Sequence, residues 1–196
     1  FYTSNSDDVF THIRLHIYPD GGVARLRVYG DVYKDWSAVK PDETLDLAAA
    51  IYGGKALLCN DMFFSPMNNL IMPGRGINMG DGWETKRNRT PNNCDWVIIK
   101  LAHHGIIERI VVDTKHFKGN YPDSCSIEAC NSNSDEQVIT GKAEWITILP
   151  TQKLSADSEH EYSGEIIKHS AVSHVRLNIF PDGGISRLRL FGKKAG

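Results

Sequence analysis

Thr11-His-Ile-Arg-Leu-His-Ile-Tyr-Pro-Asp-Gly-Gly-Val-Ala-Arg-Leu-Arg-Val-Tyr-Gly30 recurs near the other end of the chain as Ser173-His-Val-Arg-Leu-Asn-Ile-Phe-Pro-Asp-Gly-Gly-Ile-Ser-Arg-Leu-Arg-Leu-Phe-Gly192. Twelve of the twenty positions are identical, and His12 and His174 mark the common offset of 162 residues. Repeat units of solenoids run to ~50 residues, so this period is that of a whole domain. The period predicts three parts to the chain. Residues 1–33 are the C-terminal hairpin of a first repeat, residues 34–54 a linker with a short helix, and residues 55–196 a complete second repeat.

Within each copy the pattern alternates. Ile13, Leu15 and Ile17 share one face, and His12, Arg14 and His16 the other, the period of a half-buried strand. Pro19-Asp-Gly-Gly22 reads as a turn, and Leu26 and Val28 then alternate with Arg25 and Arg27. The expected element is a β-hairpin, repeated over Val175, Leu177, Ile179, Pro181–Gly184, Leu188 and Leu190. An isolated hairpin is marginal in water, so the first copy is expected to dock on the neighbouring repeat or on a partner chain.

Working outward, Pro41–Gly54 predicts one short helix over residues 42–52, with Asp42 as cap and Gly53 as terminator. Strand-like runs follow at Trp96–Leu101, Ile106–Asp113, Ser124–Cys130 and Glu144–Leu149, and His103-His104 reads as a surface turn. Many short strands separated by Gly, Pro, Asn and Asp predict an all-β fold, a β-sandwich or jelly roll.

Composition bounds the function. The chain is 41% hydrophobic and 23% charged with net charge −2, so no nucleic-acid partner is expected. No apolar run reaches the ~18 residues of a membrane span. Cys59, Cys94, Cys125 and Cys130 lack Cys-x-x-Cys spacing and read as reduced thiols of an intracellular protein. No metal-ligand spacing, P-loop, dinucleotide motif or Gly-x-Ser-x-Gly is present, so no cofactor is expected.

Two polar stretches stand apart from ordinary connections. Phe63–Arg89 is 27 residues long and rich in Gly, Asn and Met, and long irregular segments of compact domains are commonly functional. Within it, Arg75 is a ligand cation or a solvated loop residue, and Asp81 a ligand group or turn chemistry. Glu84, Arg87 and Arg89 are site residues or members of a cross-strand ion pair. Val112–Pro122 follows a buried-looking strand, which places Asp113, His116 and Asn120 in the loop leaving its end. Such a set suits a small, polar, anionic ligand.

The motifs Pro73-Gly-Arg-Gly, Gly82-Trp-Glu-Thr-Lys-Arg-Asn-Arg89, Asp95-Trp-Val-Ile-Ile-Lys-Leu101 and Asp113-Thr-Lys-His-Phe-Lys-Gly-Asn120 resemble the allantoicase family. The repeated hairpin resembles the end of each of that family's two tandem repeats. The resemblance implies a galactose-binding-like jelly roll and hydrolysis of allantoate to ureidoglycolate and urea. It also implies allantoate as small-molecule partner, association into a homo-oligomer, and a cytoplasmic or peroxisomal setting. Under it, Glu84, Asp113 and His116 are candidate acid or base, and Arg75, Asp81, Arg87 and Asn120 candidate substrate contacts. The rival readings are a non-catalytic ligand- or carbohydrate-binding jelly roll and an inactive family member.

Overall fold

The structure is a computed structural model that describes residues 6–196; residues 1–5 of the predicted first-repeat remnant lie outside the described residues. Ten strands follow in order: β1 (Leu45–Asp46), β2 (Lys55–Cys59), β3 (Trp83–Glu84), β4 (Asp95–Asp113), β5 (Ser124–Cys130), β6 (Ile146–Lys153), β7 (Glu159–Tyr162), β8 (Val172–Phe180), β9 (Gly184–Ile185) and β10 (Arg187–Lys194). All strand pairs are antiparallel.

The 19-residue β4 belongs to two layers. Its first part, Asp95–Lys100, lies between β2 and β8, and β8 continues the layer to β5 and β6. Its second part, Gly105–Asp113, pairs with β10, while β7 lies along residues 110–113 and β1 extends the layer beyond β10. The pairing register shifts between Lys100 and Gly105, where the strand turns from one layer to the other. His103-His104 therefore sits inside β4 at this bend, not in a surface turn. The Trp36 ring packs on His103, with centroids 4.8 Å apart.

One apolar core fills the sandwich. Val97, Ile99, Ile127, Leu177 and Ile179 come from the first layer, and Ile110, Val112, Leu188 and Leu190 from the second. The alternation read in 173–192 is the cause: these strands bury one face and expose the other. The result is the expected jelly-roll β-sandwich. Cys125 belongs to this core, while Cys130 packs with Ile98 and Val138 on the opposite face of β5. All four cysteines are free thiols, and burial pushes the Cys125 thiol up to about 12.

Three expectations are corrected. First, residues 42–52 form no α-helix. Leu45–Asp46 pairs with β10, and only Ala50–Tyr52 makes a single 3-10 turn. The Asp46 carboxylate accepts from the Leu190 and Ala48 amides, while Leu47 donates to Leu190 O and accepts from Ala102. Sheet pairing on both sides overrides a helix-compatible sequence. A helix not foreseen forms instead at α1 (Asp135–Ile139), capped by the Ser134 hydroxyl.

Second, the copy at 173–192 is not a hairpin. β8 and β10 do not pair with each other; each pairs with a different part of β4. Pro181–Gly184 carries the chain from one layer to the other. Third, residues 11–30 form no strand, and residues 6–33 are exposed rather than docked on the sandwich. The same topology explains this. β4 is already paired on both sides, with β2 and β8 along its first part and with β10 and β7 along its second, and offers residues 11–30 no free edge. The chain re-enters the fold at Asp31, paired with Lys55 at 2.5 Å, and at Lys34, whose ammonium lies over the Tyr52 ring.

Candidate functional site

The motif loops gather at one end of the sandwich because the turn at Pro181–Gly184 holds them there. β9 pairs with β3, setting Trp83 opposite Ile185 and Glu84 opposite Gly184. The Gly184 amide donates to Asn120 O at 2.8 Å. A Cβ on Gly184 would overlap the fully buried Phe117 ring, and Gly183 has φ +138 with the Asn120 carbonyl and Pro122 close by. The two glycines are therefore needed for close approach as well as for turning. Thr85 completes the junction: its hydroxyl accepts from the Gly183 amide at 3.1 Å.

The arginines of the repeated Arg-Leu-Arg lock the other loop. Arg187 is almost wholly buried. Its Nε donates to Gly74 O at 3.2 Å, its Nη1 to Asp81 O and Ser186 O, and its Nη2 to Asp81 Oδ2 at 3.0 Å. Arg189 donates to Met72 O and Gly74 O at 2.7 and 2.6 Å. The predicted site residue Asp81 is thus bound into the fold. Burial works against its charge, but the Ile77 amide and the Arg187 guanidinium hold its carboxyl below the ordinary range.

The predicted residues fall into two groups. Around a pocket of about 130 Å³, Arg75 stands between Asp113 and Glu159, 3.3 Å from each. Asp113 is buried and accepts from the Lys115 amide at 2.8 Å through its other oxygen. His116, with φ 73, bonds Gly76 O through Nε2 at 2.8 Å, and its amide donates to Asp157 at 2.7 Å. Because a carbonyl only accepts, Nε2 carries the proton. Arg75 and His116 both tie the 74–76 loop to the segment leaving β4.

The second group lines a cleft of about 430 Å³ that includes Arg87, Arg89, Asn120, Tyr121 and Asp182. Asn120 donates its side-chain amide to the Glu84 carboxylate. Burial raises the Glu84 carboxyl above its ordinary value, partly offset by this hydrogen bond. No hydrogen bond or ion pair engages Arg87 or Arg89 among the described residues. Glu84 therefore bonds an amide, and the cross-strand ion pair with an arginine is not formed. Glu159, Arg187, Arg189 and Asp182 were not singled out by the sequence reading, although duplication of Asp-Gly-Gly and Arg-Leu-Arg was the signal that could have found three of them.

Among the described residues, no group of three or more His, Cys, Asp or Glu side chains is placed to hold a metal ion, and no helix is long and apolar enough to cross a membrane.

A two-layer jelly roll with its motif loops collected at one end defines a galactose-binding-like domain. A carbohydrate-binding module of Clostridium perfringens NanJ, solved in complex with galactose, shares this fold at TM-score 0.51 and 13% identity, over 70% of this chain and 93% of that one. Sequence resolves the family within that class. The allantoicase repeat model matches residues 1–33 and 45–195, and the chain belongs to the allantoicase family. A probable allantoicase of Stutzerimonas stutzeri is 61% identical over 95% of this chain and 57% of its own length. One from Pseudomonas fluorescens is 57% identical over 98% and 59%. The crystal structure of Saccharomyces cerevisiae allantoicase matches at TM-score 0.68 and 42% identity, over 79% of this chain and 45% of that one. The chain thus spans less than three-fifths of the length of these curated relatives.

Proposed function

We propose that this chain supplies the C-terminal repeat of an enzyme that hydrolyses allantoate to ureidoglycolate and urea, and that the cleft beside Glu84 is where it does so. One observation carries the reading: the Glu84 carboxyl, raised by burial, is bonded to Asn120, and Asn120 lines a cleft with Arg87, whose guanidinium has no counter-ion among the described residues. Allantoate bears one carboxylate and two ureido groups on a single carbon. Arg87 offers the fork that a carboxylate accepts. Asn120 offers an amide oxygen to a ureido N–H while its nitrogen holds Glu84. Glu84, kept protonated further toward neutral pH than an exposed glutamate, gives its proton to the departing urea as the C–N bond breaks. Water supplies the hydroxyl of ureidoglycolate, and its proton restores Glu84.

In this account Arg75, Asp81, Asp113 and His116 act through the loops they hold. Arg75 is already engaged by two carboxylates, which leaves it less able to clamp a ligand than Arg87. The reading includes a homo-oligomer and a cytoplasmic or peroxisomal setting, as family membership suggests. Exposed Phe63, Phe64 and Ile77 are consistent with further contacts at this end of the sandwich.

The test is urea release from allantoate by this chain and by the two-repeat protein that the relatives' length implies, beside binding of simple sugars. Urea release abolished by Arg87→Ala supports the proposal. Sugar binding without urea release favours the carbohydrate-module reading.

A further inference from the structure

The cleft holds one more cation than a single carboxylate contact uses. Arg87 and Arg89 flank Asn88, line the same cleft, and neither is neutralised by a protein carboxylate among the described residues. The residue between them is stapled in place. The Asn88 amide donates to Asp182 Oδ2 at 2.9 Å, and its side chain donates to Asn93 Oδ1 at 2.8 Å. Asn93 in turn donates to Pro181 O at 2.5 Å. Three bonds thus fasten the Arg-Asn-Arg segment to the duplicated turn. The Asp182 carboxylate lines the cleft but is spent on a backbone amide, not on either guanidinium.

We propose that Arg89 is a second substrate-contacting residue and that Asp182 is the positioning residue that sets both arginines. The ligand class is a small carboxylate bearing a ureido group on the adjacent carbon. One guanidinium forks onto the carboxylate, and the other donates to the neighbouring ureido carbonyl. Neutral ureides would leave one of the two cations lining the cleft without a partner and bind weakly. Asp20 is the counterpart of Asp182, so the recurrence of Pro-Asp-Gly-Gly is the recurrence of this positioning group. The inference rests on the cleft assigned under Proposed function and adds the chemistry by which it selects.

The experiment is calorimetric binding of N-carbamoylglycine and its neutral amide, N-carbamoylglycinamide, to the chain. Neither is an aminal, so neither releases urea by the proposed route. The wild type is expected to prefer the carboxylate by roughly tenfold or more; Arg87→Gln should lose most of that preference, and Arg89→Gln should weaken both ligands by roughly tenfold with their ratio kept. Asp182→Ala should lose the preference too, while Asp182→Asn, which keeps an acceptor for the Asn88 amide, should retain it. A purely structural Asp182 would lower the unfolding temperature in Asp182→Ala without changing the ratio of the two affinities, and that result overturns the positioning role. Arg89→Gln with both affinities unchanged overturns the contact. Urea release from allantoate with no carboxylate preference in the wild type rejects this inference alone; absence of urea release rejects the underlying reading.

Discussion

Gly184 packs so close to the ring of Phe117 that a single added methyl carbon would overlap it. This contact joins the duplicated turn to the loop leaving β4, and Gly184 is also the residue that β9 sets opposite Glu84 of β3. Gly184→Ala should therefore force the ring or the turn to move, at a cost of about 1–3 kcal/mol. Denaturant unfolding of the chain checks this. The expected result is a lower midpoint at unchanged slope, and an unaltered midpoint would show that the junction yields freely.

Arg187 makes a second test of how the site end is held. Its guanidinium satisfies the carbonyls of Gly74 and Asp81 and pairs with Asp81. Arg187→Met keeps much of the buried volume and leaves those acceptors short. Each buried polar group so stranded costs about 1–3 kcal/mol, though Gly74 O keeps Arg189 as a donor. The variant should be less stable and should lose protection of the 74–81 amides in hydrogen exchange.

Acid sensitivity should centre on His174. Burial lowers its pKa, with Asp135 pulling the other way, and its Nε2 lies 3.1 Å from Asp135. Asp135 is itself held below the ordinary carboxylate value: burial opposes this, and Lys100 and His174 outweigh it. For His174 the unfolded chain binds the extra proton, so its stability contribution is full above the ordinary histidine value. It is lost as pH falls from there through the lower folded value. Asp135 adds a loss in the same direction at more acidic pH, below the usual carboxylate range. Thermal midpoints measured downward from pH 7.5 should fall, and His174→Gln should flatten the part of that fall near pH 6 to 6.5.

The alternation in 173–192 identified the strands and their buried face, and Leu177, Ile179, Leu188 and Leu190 are all core. The same pattern misplaced their partners, because a two-fold period states which face is buried and not which strand lies alongside. Pro-Asp-Gly-Gly looked like a hairpin turn, although its glycines answer to Phe117 and Asn120, some sixty residues away. The Leu45–Asp46 strand was hidden because the bonds that make it come from Leu190 and Ala102. At the site, motif positions were legible and pairings were not. Arg75 and Arg87 looked alike in sequence, and only the fold sets Arg75 between two acids.

The central step proposed for the site is proton donation from Glu84 to departing urea. The most direct measurement is the rate of urea release from allantoate by the two-repeat protein, comparing wild type with Glu84→Gln. The substitution keeps the size of the side chain and its contact with Asn120, so the fold should persist by circular dichroism. The account predicts a loss of at least roughly a hundredfold in kcat, together with a wild-type activity that falls as pH rises through the raised Glu84 value. Undiminished urea release from folded Glu84→Gln would contradict it.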